Sequence, residues 1–373
     1  DHVKYGKDNL VVIRVDNRYQ EDRFPWANPS VGLMNYGGIY RTLYLKVVNP
    51  INIDDYKISN EIQFNREFGK GWENPSAKIN VRLKVKDARP YHRKFQGNLI
   101  FTVKNDDFSK SQEVPINLTE SKEDYVDASI TIDNPHLWSP ENPYLYNLTF
   151  QLINKNRREV DREQWRWGIR EFKQNQNHFY LNNKKITLRG VNHVEDHPDV
   201  GSSLNPRLMY NDLNILKEAN VNCIRTYLHP SYKALIELAD EMGFLVLEDL
   251  PIYEMKTEQY TKRNLSTIQE QLWEMIHRDK NHCSVIAWVL GDGCDTSTPE
   301  AKDFFKQIFL RSKELDPFRL HTSTMEKPEK SRILELMDFY AIKSNFGWYD
   351  EYYENFEKVG IHLDEVRGFI EKN

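Results

Sequence analysis

The chain has 373 residues, of which 39% are hydrophobic and 29% charged, with a formal net charge of −5; that balance describes a globular chain and excludes a disordered one. Its basic residues are scattered rather than clustered, which argues against a nucleic-acid binder, and no apolar run approaches the roughly 18 residues that a membrane span requires. Three cysteines, Cys223, Cys283 and Cys294, stand at no metal-ligand spacing, and two lie inside apolar strand-like runs, so they read as buried free thiols.

The chain opens at Asp1 with neither a methionine nor a signal-peptide pattern, which reads as a removed leader or a fragment. Sequons at Asn117, Asn147 and Asn264 are too common by chance to bear on secretion, so the compartment stays open. Within residues 1–48 two alternating apolar runs, "NLVVIRVDN" and "GGIYRTLYLKVV", flank a polar, proline-containing loop. Two strands alone make no stable domain, and they are expected to be the end of a larger β-sandwich.

Residues 49–171 carry five alternating runs between turn signals: "AKINVRLKVKD", "GNLIFTVKN", "YVDASITID", "YLYNLTFQLIN" and "VDREQWRWGIREF". With no helix-period segment among them, they predict an immunoglobulin-like β-sandwich. Trp165 and Trp167 share one face of the last run and are expected in its core. The three prolines of "NPHLWSPENPYLYNL" predict a rigid corner around Trp138.

From residue 172 onward short apolar strands alternate with amphipathic helices. Strands are predicted at "ITLRGVN", "VNCIRTYL", "FLVLEDLP", "SVIAWVLG", "RLHTST" and "FYAIKS". Helices are predicted at "RLMYNDLNILKEAN", "YKALIELADEMG", "LSTIQEQLWEMIHRDKN" and "EAKDFFKQIFLRSKELD", with Gly243 and Asp316-Pro317 as stop signals. Repeated βα units predict a (β/α)8 TIM barrel over 172–373. Only six strands are found before the helical or loop-like "YYENFEKVGIHLDEVRGFIEKN", so the barrel reads as incomplete and the chain as cut at both ends.

Several motifs, in order, then resemble glycoside hydrolase family 2, the family of β-galactosidases, β-glucuronidases and β-mannosidases. They are "NYGGIYRTLYL", "LWSPENPYLY", "WGIREF", "LRGVNHVEDHP", "NVNCIRTY", "DEMGFLVLEDLP", "HRDKNHCSVIAWVLG" and "FYAIKSNFGWY". The first implies the C-terminal part of a jelly-roll sugar-binding domain over 1–48. The resemblance implies retaining hydrolysis of β-glycosides by two carboxylates about 5–5.5 Å apart, an acid/base and a nucleophile, projecting from the C-terminal ends of barrel strands.

It also locates what is missing. The family's acid/base glutamate follows Gly-Asn or Ala-Asn at the end of the fourth strand; here the motif reads Gly291, Asp292, Gly293. The nucleophile is expected on a seventh strand, beyond Asn373. Where the family has Arg-His-Glu-Asp after the first strand, this chain has His193, Val194, Glu195 and Asp196. It has Tyr227, Leu228 and His229 where a histidine near substrate is common, and Lys343 and Asn345 ahead of the retained Gly347, Trp348 and Tyr349. Residues that hold the fold in the family match: Arg189, Gly190, Asn192, Arg225, Asp279, Asn281, His282, Trp288 and Trp348.

The candidate substrate-binding residues are therefore Glu195, Asp196, His229, Glu248, Asp249, Asp292, Lys343, Asn345 and Trp348, with no intact catalytic residue. Glu248 and Asp249 end the third strand, where a carboxylate either meets substrate or is polar because the rim is. Asp292 is one residue early and one methylene short of the lost acid, and a misplacement of about 1 Å costs roughly 10²-fold. Lys343 beside Asp292 is expected to form an ion pair in place of a substrate contact. The aromatic residues Phe346, Trp348, Tyr349, Tyr352 and Tyr353 read either as a sugar platform or as packing. His229, His282 and His321 lack metal-ligand spacing, and no metal and no cofactor is expected.

Three functional readings stand. One is a glycosidase-like chain with incomplete chemistry that keeps at most carbohydrate binding. Another is a working enzyme whose nucleophile comes from another segment and whose acid is a nearby carboxylate. The third is a structural or partner-binding scaffold. The partner in the first two is a β-glycoside, without nucleic acid or membrane, and a homo-oligomer is left open.

Overall fold

The computed structural model describes residues 3–4, 6–17, 36–90, 94–118, 122–343 and 368. The strand-like runs expected at 9–17 and 37–48 carry no strand. Neither has a ladder partner among the described residues. Leu10 is 90% exposed and Leu45 85%, as expected of an alternating segment with no sheet to lie against.

Seven strands build the sandwich: β1 (Ile51–Gln63), β2 (Ser76–Asp87), β3 (Phe95–Lys104), β4 (Ser109–Leu118), β5 (Glu123–Asp133), β6 (Tyr146–Asn154) and β7 (Glu159–Trp167). They form two antiparallel sheets, β1-β2-β5 and β4-β3-β6-β7. Alternation supplies the core: Ala77, Ile79, Val81, Leu83 and Val85 of β2 face Leu99, Phe101 and Val103 of β3 and Leu148, Phe150 and Leu152 of β6. Strands β1 and β4 escape the sequence reading. β1 carries Asp54 and Asp55 at a register shift, and β4 is an edge strand with exposed polar residues and Pro115, which cannot donate to a ladder.

A small meander follows, also unforeseen: β8 (Phe172–Asn175), β9 (His178–Leu181) and β10 (Lys184–Ile186). Asn182 and Asn183 join the last two with φ of 50° and 58°, the two-residue hairpin turn that asparagine tolerates. Their side chains fasten the meander to its surroundings. Asn182 Nδ2 donates to the Trp138 carbonyl at 2.9 Å, and Asn183 Nδ2 to the Gly71 carbonyl at 2.7 Å.

The remaining elements alternate as expected: β11 (Gly190–Asn192), α1 (Pro206–Glu218), β12 (Cys223–Arg225), α2 (Lys233–Met242), β13 (Leu245–Asp249), α3 (Lys262–Asp279), β14 (Val285–Asp292), α4 (Pro299–Leu315), β15 (Leu320–Met325) and β16 (Ala341–Ile342). The six strands pair in parallel and in chain order, forming a curled half-barrel. Each helix starts and stops for a local reason. Asn205 caps α1 by accepting from Arg207 N and Leu208 N, and Thr261 and Thr298 cap α3 and α4. Gly243, at φ 75°, ends α2.

Two apolar layers set which end of the barrel is open. Val246, Trp288, Leu290, Leu272 and Phe305 pack the strands against the helices. Within the curl, Cys223, Leu245, Ile286 and Ala287 meet Trp138, Phe172 and Leu181, so the proline-flanked corner plugs the strands' N-terminal end. Trp138 is fully buried and its indole donates to the Asp240 carbonyl at 2.8 Å. All three cysteines are free and buried. The C-terminal ends of the strands remain for a site. No helix among the described residues is long and apolar enough to cross a membrane.

Candidate functional site

Arg225, Asp249, Asp292 and Lys343 stand at or just past the ends of β12, β13, β14 and β16, and ion pairs link them in the order Asp249, Arg225, Asp292, Lys343. Arg225 Nε and Nη2 grip Asp249 at 2.9 and 2.6 Å, a bidentate pair, while Nη2 also reaches Asp292 Oδ2 at 2.7 Å. Lys343 Nζ lies 3.4 Å from Asp292 Oδ1 and 3.7 Å from Glu326. The ion pair expected between Lys343 and Asp292 is present. Burial and Asp292 hold the Asp249 carboxyl above its ordinary range, against the pull of Arg225. Burial draws the Lys343 ammonium down, but Asp292, Tyr227 and Glu326 outweigh it and its shift is upward.

Backbone strain serves the same cluster. Tyr227 and Leu228 have φ of 41° and 68°, a region that costs a non-glycine residue about 1 kcal/mol or more. The bend turns Leu228 N toward Asp249 Oδ2 at 3.0 Å. Asp249 is thereby satisfied on both oxygens at 1% exposure. His229 turns Nδ1 back to the Tyr227 carbonyl at 3.0 Å.

Glu248 departs from expectation. Successive strand residues point to opposite faces; Asp249 takes the mouth, and Glu248 points away from it toward α3, fully buried. Its Oε1 accepts from Arg278 Nη2 at 3.0 Å, and Oε2 has no partner. Burial first and Asp279 second push its carboxyl well above the ordinary carboxylate range.

Glu195 is likewise closed off. At 3% exposure it accepts from Arg41, from the Ser231 hydroxyl and from Tyr232 N at 2.8 Å. Asp196 accepts from Tyr36 Oη at 2.8 Å. The segment around 36–42 thus reaches over the loops that follow β11 and β12, a contribution the sequence reading missed. Behind it, burial pulls the His193 imidazole down, and its Nδ1 lacks a partner. Asn345 and Trp348, with Phe346, Tyr349, Tyr352 and Tyr353, lie outside the described residues. Among the described residues no group of three His, Cys, Asp or Glu has a metal-binding arrangement.

Gly293 follows β14 with φ 59° and its N donates to the Thr324 carbonyl at 3.0 Å. A β-carbon added there would lie 3.6 Å from Glu254 Cγ, 3.8 Å from Lys343 Nζ and 3.9 Å from Glu326 Oε1. The position therefore has room for a side chain and two carboxylate-bearing residues around it. Neither Glu254 nor Glu326 was singled out from sequence, because each is a loop residue that only the packing of strand ends brings to Gly293.

The half-barrel with its charged C-terminal rim matches known proteins. Residues 172–367 fit the family model described as "Glycosyl hydrolases family 2, TIM barrel domain", and residues 70–170 fit a second, "Glycosyl hydrolases family 2". The chain belongs to glycosyl hydrolase family 2. A β-galactosidase of Thermoanaerobacter pseudethanolicus is 30% identical over 324 residues, 86% of this chain and 40% of that protein. A putative β-glucuronidase of Formosa agariphila is 27% identical over 373 residues, 96% of this chain and 42% of that protein. The chain thus spans less than half the length of these family 2 relatives. In fold it resembles the family 2 β-galacturonidase of Eisenbergiella tayi solved with galacturonate, with a TM-score of 0.82, 23% identity, and coverage of 95% of this chain and 60% of that one.

Proposed function

We propose that this chain binds a β-glycoside at the rim formed by β12 to β16 and that its hydrolytic chemistry is impaired at proton transfer. The observation that carries this reading is Gly293. Where the family resemblance expects the acid/base glutamate, the chain presents no side chain, and the adjacent Asp292 is 2% exposed and held by Arg225 and Lys343. Both of its oxygens are engaged by these cations, Oδ2 by Arg225 at 2.7 Å and Oδ1 by Lys343 at 3.4 Å, so the carboxyl is not free to reach a leaving oxygen. The β-galactosidase and β-glucuronidase relatives support a β-glycoside as the ligand.

The test compares leaving groups. An aryl β-glycoside departs without proton assistance, whereas an alkyl glycoside needs it. Calorimetric binding of a β-galactoside or β-glucuronide is expected, with alkyl glycosides essentially uncleaved and any turnover confined to aryl glycosides and accelerated by azide. Alkyl and aryl glycosides cleaved at similar rates would refute the impairment; no binding of either sugar would refute the site.

A second reading rests on Glu326. Its Oε1, 3.9 Å from the place of a β-carbon at Gly293, is about as far from that point as a glutamate's own carboxylate would be. Under this reading Glu326 stands in as the acid, with Lys343 Nζ 3.7 Å from its Oε1. Alkyl turnover that disappears in Glu326→Gln would favour it.

A further inference from the structure

A cleft of about 290 Å³ opens between the loops that follow β13, β14 and β15, with Gly293 in its wall, close to the smallest size typical of ligand pockets. Lys256, Lys327 and Lys330 rim it from two of the loops. None of the three ammonium groups has an ion pair among the described residues, and all three residues are exposed.

The two acids that line the same cleft are already engaged. Asp295 accepts from Ser297 N at 3.1 Å and from the Ser297 hydroxyl at 2.6 Å, and Glu326 faces Lys343 at 3.7 Å. The hydrogen bonds to Ser297 leave the charge of Asp295 in place, and Lys256 acts on it through space, but three lysines outnumber Asp295 and Glu326, and Glu326 already faces Lys343, so the lining is positive on balance. Low-dielectric walls and one predominant sign of charge concentrate a ligand of the opposite sign.

We infer that this cleft receives the leaving-group side of the glycoside and selects a sugar residue bearing a negative charge, as carboxylate or sulfate. The inference rests on the β-glycoside reading above: in a retaining glycosidase the acid/base position borders the leaving oxygen, and Gly293 is both that position and part of the cleft wall. The charged rim lies on the loops beyond Gly293, apart from the Arg225, Asp249 and Asp292 cluster.

Lactobionate tests this directly, because it keeps the neutral galactosyl unit of lactose and places a carboxylate on the leaving-group side. Calorimetry on the full chain is expected to give lactobionate about tenfold tighter binding than lactose at low salt. That preference should shrink between roughly 0.05 and 0.5 M salt as screening shortens its reach. It should vanish in the triple variant Lys256→Gln, Lys327→Gln, Lys330→Gln, whose lactose affinity and thermal midpoint stay unchanged because all three side chains are exposed. Lactose sulfated on its glucose unit separates the two sources of charge: affinity equal to lactobionate assigns the site to charge alone, weaker binding assigns it to carboxylate. Equal binding of lactose and lactobionate, or a preference that survives the triple variant, overturns this inference and leaves the glycoside site standing. Failure of all three sugars and of a β-glucuronide to bind overturns both.

Discussion

Replacing Glu248 with glutamine should change how stability depends on pH while leaving the fold intact. Arg278 serves two carboxylates at once, with Nη2 3.0 Å from Glu248 Oε1 and Nε 2.8 Å from Asp279 Oδ2. One guanidinium neutralises one of them, and both carboxylates are fully buried. The folded pKa of Glu248 is raised, by burial and then by Asp279, so between its unfolded value near 4.5 and that raised value the native state holds one proton more than the unfolded state. Unfolding free energy must then fall as pH rises through that window, by about 1.4 kcal/mol per pH unit. In Glu248→Gln this contribution is absent. The amide oxygen still accepts from Arg278, and its NH2 fills the place of the unpartnered Oε2 with a donor. Urea unfolding of both proteins from pH 4.5 to 8 should give curves that coincide at the acid end and diverge upward in favour of the variant. A constant offset across the range, or a variant that loses ground as pH rises, would show that Glu248 is ionised in the native state and refute the reasoning.

Three further outcomes follow from the same contacts. Arg225→Met strands two carboxylates of at most 2% exposure and should cost about 3–5 kcal/mol in urea unfolding near pH 7, with partial recovery in the Arg225→Met, Asp249→Asn double variant. Gly243→Ala places a β-carbon 2.7 Å from the Pro140 carbonyl oxygen at φ 75° and should cost roughly 1–3 kcal/mol, read as a lower thermal midpoint. Glu326→Gln should leave galactoside binding by calorimetry within about twofold if Glu326 is only a surface partner of Lys343. A loss confined to alkyl-glycoside turnover would instead mark it as the stand-in acid.

The parallel half of the fold was legible because its signals are strong: fully buried strands such as Val285–Asp292 read as continuous apolar runs, and Asn205, Thr261, Thr298 and Gly243 punctuate the helices. Polar β1 and edge strand β4 were not, since a strand paired on one side keeps a solvent-facing composition. The Asn182-Asn183 turn was a readable hairpin signal that short flanking strands obscured. At the site, the sequence located Gly293 and the Lys343–Asp292 pair but could not say which of Glu248 and Asp249 faces the mouth. Alternation alone requires that only one of two neighbours does. Lys256, Glu326, Lys327 and Lys330 gave no pattern, because loops from separate strands bring them together only in three dimensions.

The rim's charges bear on the proposal that proton transfer is impaired at Gly293. Through their ion pairs the order runs Asp249, Arg225, Asp292, Lys343, negative and positive groups in turn, each in contact with the next. An asparagine at 292 would leave Arg225 with Asp249 alone and Lys343 with only Glu326. Asp292 and Lys343 therefore make electrostatic sense together and much less sense singly. Gly293, at φ 59° with Glu254, Lys343 and Glu326 within 4 Å of where a β-carbon would stand, fits the same picture: the loop holds a left-handed geometry that glycine accepts and glutamate resists. Here the neighbours form a balanced network of their own, and restoring a glutamate at 293 would have to contend with both the backbone and Lys343.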